Sequence, residues 1–372
     1  MANSHLDNIT INIFLDPAPG PVRGFSNVLL LVDEAGGNGL PGGVRFVTYS
    51  SAAEAVVDQT AGDISAATLL AVQTAFSQTP APTKFLVGRV DTVGLETYII
   101  GLDACVAAGA LFYGVVADLR DAADEAAQEL LAEHVEAGLA QTGLICLAVN
   151  NATWLTAAPP TAPLGTMEDI VDNLRTAVLW HDDLLEWQDV AWMTNRLAAD
   201  PDAFSAPWDA EIQAVGANTA VLTTAEQDFL HNETNGGNFA NVGLPYGPAT
   251  YFVDPGVNME NRPIYELITR DWFEARLEER VAALKVSESS RFQKITIDDR
   301  GQAKVLSIIE ALLVQAQGGT SPHLIAGKAT ADAITQADLD AQRMRFTVQG
   351  QIAVSARLFT FNVYFSRTPL VL

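Results

Sequence analysis

The chain has 372 residues and a mass of 39.7 kDa, enough to bury a sizeable core without disulfide or metal staples. About 49% of the residues are hydrophobic and 18% charged, a globular balance that excludes a disordered or coiled-coil chain. The net charge is −24 and is divided unevenly: residues 1–260 hold seven basic side chains against 33 acidic (net −26), and residues 261–372 hold 14 against 12 (net +2). An acidic body repels phosphates, so no nucleic-acid partner is expected. No apolar run approaches the roughly 18 residues a membrane span needs, and the first residues lack the basic-then-apolar pattern of a secretory signal. Cys105 and Cys146 lie in apolar segments without Cys or His at metal spacing, and read as buried thiols of a reducing compartment.

In chain order, Asn8–Leu15 alternates, with Ile9, Ile11, Ile13 and Leu15 on one side: a half-buried strand. The Pro/Gly stretch from Asp16 cannot continue a sheet and reads as a semi-rigid spacer. Strands follow at 27–32, 44–48, 84–90, 111–116 and 144–149. Helices alternate with them at 51–59, opened by a Ser51–Glu54 capping box, and at 64–78, 94–107 and 121–141. Strand–helix alternation argues an α/β layer with parallel pairing. Residues 150–260 are less regular, with helices expected at 166–176 and 184–199. After Asp254-Pro-Gly256 the character changes. Ile264, Ile268, Trp272, Leu277, Val281 and Leu284 line one side of a long helix over 264–285. Val305, Ile308, Ile309, Leu312, Leu313 and Ala316 line another, preceded by Asp298/Asp299 and ended by Gly318-Gly319. Two alternating strands finish the chain: Phe346, Val348, Ile352 and Val354 share a face of the first, and Phe359, Phe361, Val363 and Phe365 one of the second.

Signs of chemistry are few. Gly37-Asn-Gly-Leu-Pro-Gly42 has the G-x-G-x-x-G spacing, but a strand follows where the dinucleotide fingerprint needs a helix N-terminus, so it reads as a loop. His181-Asp-Asp183 and His231-x-Glu233 each offer two or three metal-ligand types in isolation, and a site needs three or four that converge. Trp180, Trp187 and Trp192 read as core. No phosphate cradle, nucleophile elbow or carboxylate couple stands out, so no enzyme activity, cofactor or metal is expected.

Both ends of the chain are strands, and an open edge with an apolar face invites pairing with another chain. The bland outcome is pairing within the chain's own sheet; the sharper one is exchange between copies, building a polymer.

Several blocks resemble the contractile tail sheath proteins of myophages and related contractile injection systems: Val44-Arg-Phe-Val-Thr-Tyr-Ser-Ser-Ala-Ala-Glu-Ala-Val56, Ala66-Ala-Thr68 with Ala75-Phe-Ser-Gln-Thr-Pro-Ala-Pro82, and Phe85-Leu-Val-Gly-Arg89. Further blocks are Ile264–Val281 with Arg270-Asp-Trp272, the helix at 301–317, and Ile334–Arg343. Together they cover about half the chain, and their specificity lies in order and spacing. Residues 150–260 match weakly. The resemblance implies a mixed α/β, two-domain sheath-like subunit with extended N- and C-terminal strand arms. Its parts would be an N-terminal arm and linker (1–20), an outer acidic domain (21–253), an inner tube-facing domain (254–357) and a C-terminal arm (358–372). The arms, carrying Ile9, Ile11, Ile13, Leu15, Phe359, Phe361, Val363 and Phe365, would add strands to neighbouring copies and weave a helical sleeve of hexameric rings. Hinges are expected at 16–24 and at Ala356–Leu358.

The resemblance further implies a structural virion protein of a bacteriophage-like contractile tail, assembled in the host cytoplasm. Its partners would be itself, the tail tube protein, and baseplate and tail terminator proteins. Contraction drives the tube through the host envelope for genome ejection, without nucleotide hydrolysis. From charge segregation, Arg291, Lys294, Arg300 and Lys304 are the expected tube-facing side chains. A tail tube or baseplate subunit remains the alternative, with a nucleotide-binding α/β enzyme behind it.

Overall fold

A computed structural model of the chain describes residues 8–9, 24–33, 40, 44–138, 143–155, 170, 173–183, 185–203, 205–213, 222–231, 240–245, 251–291 and 293–353. The strands are β1 (Asn8–Ile9), β2 (Val28–Asp33), β3 (Phe46–Tyr49), β4 (Phe85–Val90), β5 (Gly114–Ala117), β6 (Leu144–Val149), β7 (Thr176–Trp180), β8 (Ala210–Ile212), β9 (Asn241–Pro245), β10 (Tyr251–Asp254), β11 (Leu324–Ala331) and β12 (Phe346–Ile352). The helices are α1 (Ala52–Ala61), α2 (Ala66–Phe76), α3 (Tyr98–Ala107), α4 (Glu125–Glu136), α5 (Gln188–Leu197), α6 (Thr224–His231), α7 (Ile264–Ser290), α8 (Asp299–Ala316) and α9 (Gln336–Asp340).

Nine strands form one sheet in the order β3-β4-β2-β5-β6-β7-β9-β10-β8. From β4 to β9 they run parallel, and β3, β10 and β8 close the edges antiparallel. The β2 run Val28-Leu-Leu-Leu-Val32 is continuous because a parallel strand is covered on both faces. Val28, Leu30 and Val32 join the cluster that holds buried residues of α1, α2, α5 and α7. Leu29 and Leu31 join the opposite one, with residues of α3 and α4. Cys105 and Cys146 are buried and unbridged, and burial pushes both thiols up, Cys105 to about 11.

A second sheet has the order β1-β12-β11. The helix α8 packs over β11, and α7 joins the two sheets: the same apolar cluster contains Ile264, Trp272 and Leu277 of α7, Val253 of β10, and Val348 of β12.

Several expectations need correction. Ser51 begins α1 without a side-chain cap; instead Glu54 accepts from the Ser50 backbone N–H at 2.9 Å and from its hydroxyl. The helix expected at 166–176 fails at its end, where Asn173 to Arg175 are irregular and β7 begins at Thr176. Its other residues, Ile170 apart, lie outside the described ones. The helix expected from 94 starts at Tyr98, because Thr97 caps it, accepting from the Ile100 N–H at 3.3 Å. Asp121 starts a 3-10 turn before α4, not the helix itself. The long helix runs on to Ser290. Trp180 lies on a strand and Trp192 on a helix, with Trp187 at that helix's start; all three are buried. Most of the glycine-rich segment at 36–43, all of the linker but Gly24, and the hinge candidate at 356–358 lie outside the described residues.

Candidate assembly surface

Because the expected function is assembly, the candidate site is a surface. Its centre is the β11–β12 hairpin. On β12, Phe346, Val348 and Gly350 are buried while Thr347, Gln349 and Gln351 are exposed, the period-two pattern of a strand with one solvated face. Its partner β11 carries small residues toward the covering helix. Added to Gly327, a Cβ would come within 2.6 Å of Leu313 Cδ2 on α8. That close approach explains why β11 left no apolar alternation in the sequence and was missed.

The backbone of the hairpin has two edges. Asp332 N–H donates to the Arg345 carbonyl at 3.0 Å, which sets the ladder's phase: 330/347 and 328/349 also exchange hydrogen bonds, and the alternate residues point outward. On β12 the outward groups include those of Val348, and β1 pairs there antiparallel, Asn8 opposite Gln349 and Ile9 opposite Val348. On β11 the outward groups are those of Gly327, Ala329 and Ala331, and among the described residues no strand pairs with that edge.

The hairpin is anchored to the nine-stranded body at its root. His323, immediately before β11, is buried. Its Nε2–H donates to the Pro201 carbonyl at 2.7 Å, so its Nδ1 accepts from the Thr269 hydroxyl at 2.8 Å. The ring stacks on Trp272 with centroids 4.4 Å apart, and burial holds the imidazole pKa below its ordinary value. Trp272 Nε1–H donates to Asp202 at 2.8 Å, and Arg276 grips the same carboxylate with two bonds of 2.7 Å. Burial works to raise the Asp202 pKa, but these hydrogen bonds outweigh it and hold the carboxyl below its usual range. Ser205 and Ser321 add a reciprocal pair at 2.8 and 2.6 Å.

A second anchor lies deeper. Asp271 on α7 receives a fork from Arg175 (2.7 and 3.0 Å) and the hydroxyl of Tyr113 at 2.9 Å, all three side chains being buried. Arg175 also donates to the Gly143 carbonyl at 3.1 Å. Two-point recognition of a carboxylate is the arginine geometry. This anchor fixes α7 to the ends of β5, β6 and β7.

Of the expected arm residues, Ile9 lies opposite Val348 of its own chain; Ile11, Ile13, Leu15, Phe359, Phe361, Val363 and Phe365 lie outside the described residues. The four basic residues all fall in the elbow between α7 and α8. Arg291 follows α7, Lys294 lies in the connection, and Arg300 and Lys304 lie in the first turns of α8, all exposed. Lys304 Nζ bonds Glu288 at 2.6 Å. Asp298 caps α8, accepting from Gly301 N–H at 2.9 Å, and that bond holds its carboxyl below the usual range.

The metal-ligand candidates do not converge. His181 is buried, and its Nδ1 meets the Asp183 backbone N–H at 2.9 Å. Among the described residues no group of three or more His, Cys, Asp or Glu side chains could hold a metal ion, and no helix is long and apolar enough to cross a membrane. Glu233 lies outside the described residues. Arg120 spans from Asp189 to the face of Trp187, 3.8 Å from the ring centroid, and serves packing inside the body.

No protein-family profile matches the chain, and no curated protein matches it. Solved structures do. A chain of the cryo-EM structure of the anti-feeding prophage baseplate matches with a TM-score of 0.60 and 13% identity, over 97% of this chain and 99% of that one. A chain of the sheath complex of an extracellular contractile injection system (PVC), in its contracted state, matches at 0.62 and 11%, over 99% of each. The sheath tail protein Lin1278 from Listeria innocua matches at 0.52 and 10%, over 90% and 96%. The chain therefore has the mixed α/β fold found in contractile sheath subunits.

Proposed function

We propose that the chain is a structural subunit of a contractile sheath: it polymerises around a tail tube by exchanging strands between copies, and its contraction drives the tube through a host envelope. The observation that carries this reading is the second sheet. A strand from the start of the chain docks on one edge of a hairpin more than 330 residues away, and the other edge is open among the described residues. Each backbone hydrogen bond in such a ladder contributes about 1 kcal/mol net, so an arm of several residues with its apolar side links copies by several kcal/mol. In the polymer, β1 of one copy occupies the β12 edge of another, and the C-terminal segment from 358 supplies a strand to a further β11 edge. The division into an outer body at 21–253 and an inner part at 254–357 is supported by the nine-stranded sheet's last strand ending at Asp254.

Two packings of one subunit, the contracted one burying more interface, are enough for the mechanism, and no step calls for catalysis or a cofactor. The sheath's other partners would be the tube protein and the proteins that bound the sleeve at baseplate and terminator, in a particle assembled in the host cytoplasm. The elbow residues Arg291, Lys294, Arg300 and Lys304 face the tube, because exposed ion pairs of about 0–1 kcal/mol each let a sliding contact release.

Negative-stain microscopy of the full chain beside one lacking residues 1–16 tests the reading. Wide striated tubes from the first and dispersed particles from the second are expected; tubes from both would refute strand exchange through the N-terminal arm. The likeness to the anti-feeding prophage baseplate chain supports a second reading, a baseplate subunit, which would appear as closed rings of fixed height.

A further inference from the structure

A groove opens where the hairpin meets the start of α7, enclosing about 590 Å³ counted to its mouth. Leu174, Leu267, Phe273 and Leu324 line it with apolar surface, Thr269 lines it from a buried position, and Arg262 and Arg270 line it with Glu266. Gly350 and Ile352 of β12 form one wall. Both arginine side chains are more than two-fifths exposed, and Arg262 pairs with the part-exposed Glu260 at 3.1 Å. Arg270 reaches Asp271 only at 3.6 Å, and that carboxylate is already held by the Arg175 fork.

The ladder of β1 on β12 runs toward this groove. Asn8 lies opposite Gln349 and Ile9 opposite Val348, so the same register continued backwards sets Asp7 opposite Gly350 and Leu6 opposite Gln351. Directly opposed residues share a face of the sheet. In that register Asp7 would share the face of Val348 and Gly350, and Gly350 lines the groove. In the other direction Ile11 would oppose Phe346 and Ile13 Met344, apolar against apolar.

We propose that this groove is the receptor for the N-terminal residues of a second copy's arm, with the Asp7 carboxylate held between Arg262 and Arg270 as a charge latch that fixes the arm's register; the assignment of the arm to a second copy rests on the sheath reading. The latch answers a problem that the apolar pattern leaves open. A one-residue slip turns every isoleucine to solvent and is excluded by burial. A two-residue slip keeps Ile9, Ile11 and Ile13 on the buried face, so the repeat alone does not choose between registers. The carboxylate does: slipped by two toward Val348 it enters apolar surroundings without a partner, and slipped by two the other way it leaves the place opposite Gly350 to Ile9, an isoleucine beside two guanidinium groups.

The test uses the full-length chain carrying Leu6→Cys and Gln351→Cys. These residues form a pair that shares no backbone hydrogen bonds, with Cα atoms close enough for a disulfide, and the native cysteines are buried. Mild oxidation followed by non-reducing electrophoresis is expected to give a ladder of linked chains. Asp7→Arg in that background should lower the linked fraction at least about fivefold, and adding Arg270→Asp should restore it. An undiminished ladder with Asp7→Arg overturns the latch, as does equally efficient linking of Asn8→Cys with Gln351→Cys, which reports the two-residue slip. Linking at 6 and 351 within single chains, still lost on Asp7→Arg and restored by Arg270→Asp, upholds the latch and its register while overturning the exchange between copies.

Discussion

Replacing Asp271 by alanine removes the acceptor that holds Arg175 and Tyr113 together at the joint between α7 and the nine-stranded sheet. The Arg175 and Asp271 side chains are 9% and 0% exposed, so solvent does little to replace the lost partner. A buried pair broken on one side costs about 3–5 kcal/mol, and the Tyr113 hydroxyl loses its bond as well. With an unfolding entropy of roughly 2 cal/mol/K per residue, the 372-residue chain loses about 1 °C per 0.8 kcal/mol, so Asp271→Ala should lower Tm by about 4–6 °C in scanning calorimetry. The opposite truncation, Arg175→Met, should cost less. The carboxylate left behind keeps the Tyr113 hydroxyl as a donor, whereas the guanidinium left by Asp271→Ala keeps only the Gly143 carbonyl. The double variant Arg175→Met/Asp271→Leu should recover most of the loss, because two apolar groups of similar volume pack without an orphaned charge. A drop below about 1 °C for Asp271→Ala, or a double variant no better than its parents, would refute the view that this pair joins α7 to the body.

Other expected outcomes follow from single positions. Gly301→Ala should destabilise the chain by about 1–3 kcal/mol or more, since its Cβ would meet the Thr296 carbonyl oxygen at 1.8 Å; hydrogen exchange should rise first at the start of α8. His323 has a lowered pKa in the folded chain, so the unfolded chain binds its proton more readily. Its contribution should be fully present above pH 6.5 and lost as pH falls through that value toward the folded one, a slope that His323→Phe should remove from Tm measured against pH. Replacing Arg291, Lys294, Arg300 and Lys304 by Ser should weaken co-assembly with the tube protein in pelleting assays, and unchanged co-assembly would refute the tube-facing elbow. If repulsion between acidic bodies opposes collapse of the extended sleeve, raising salt should make contraction easier; contraction insensitive to salt would count against it.

Reading the sequence worked best where one physical demand dominated. The run Val28–Val32 and the block Leu144–Val149 announce strands covered on both faces, and the apolar stripe of α8 with Asp298 ahead of it announces a capped helix. Reading failed where residues answered to distant partners. The expected helix over 166–176 leaves 177–180 unassigned, yet Thr176–Trp180 is a strand because β6 offers an edge. Ser51 and Glu54 have capping-box spacing, yet the carboxylate bonds Ser50. The four elbow cations are singled out by charge alone and their tube-facing role is a proposal, whereas the anchors that hold the hairpin, Asp271 with Arg175 and His323 with Pro201 and Thr269, have no local signature, since each joins residues 54 to 122 positions apart.

By itself the sequence determined the α/β layering and the acidic body with its near-neutral C-terminal third. These follow from periodicity and composition, which each segment carries within itself. Tertiary structure alone decided which edge of the hairpin receives β1, which edge has no strand partner among the described residues, and where a groove with two arginines lies beside β12. Register and edge exposure are relations between segments, and no segment records its partner.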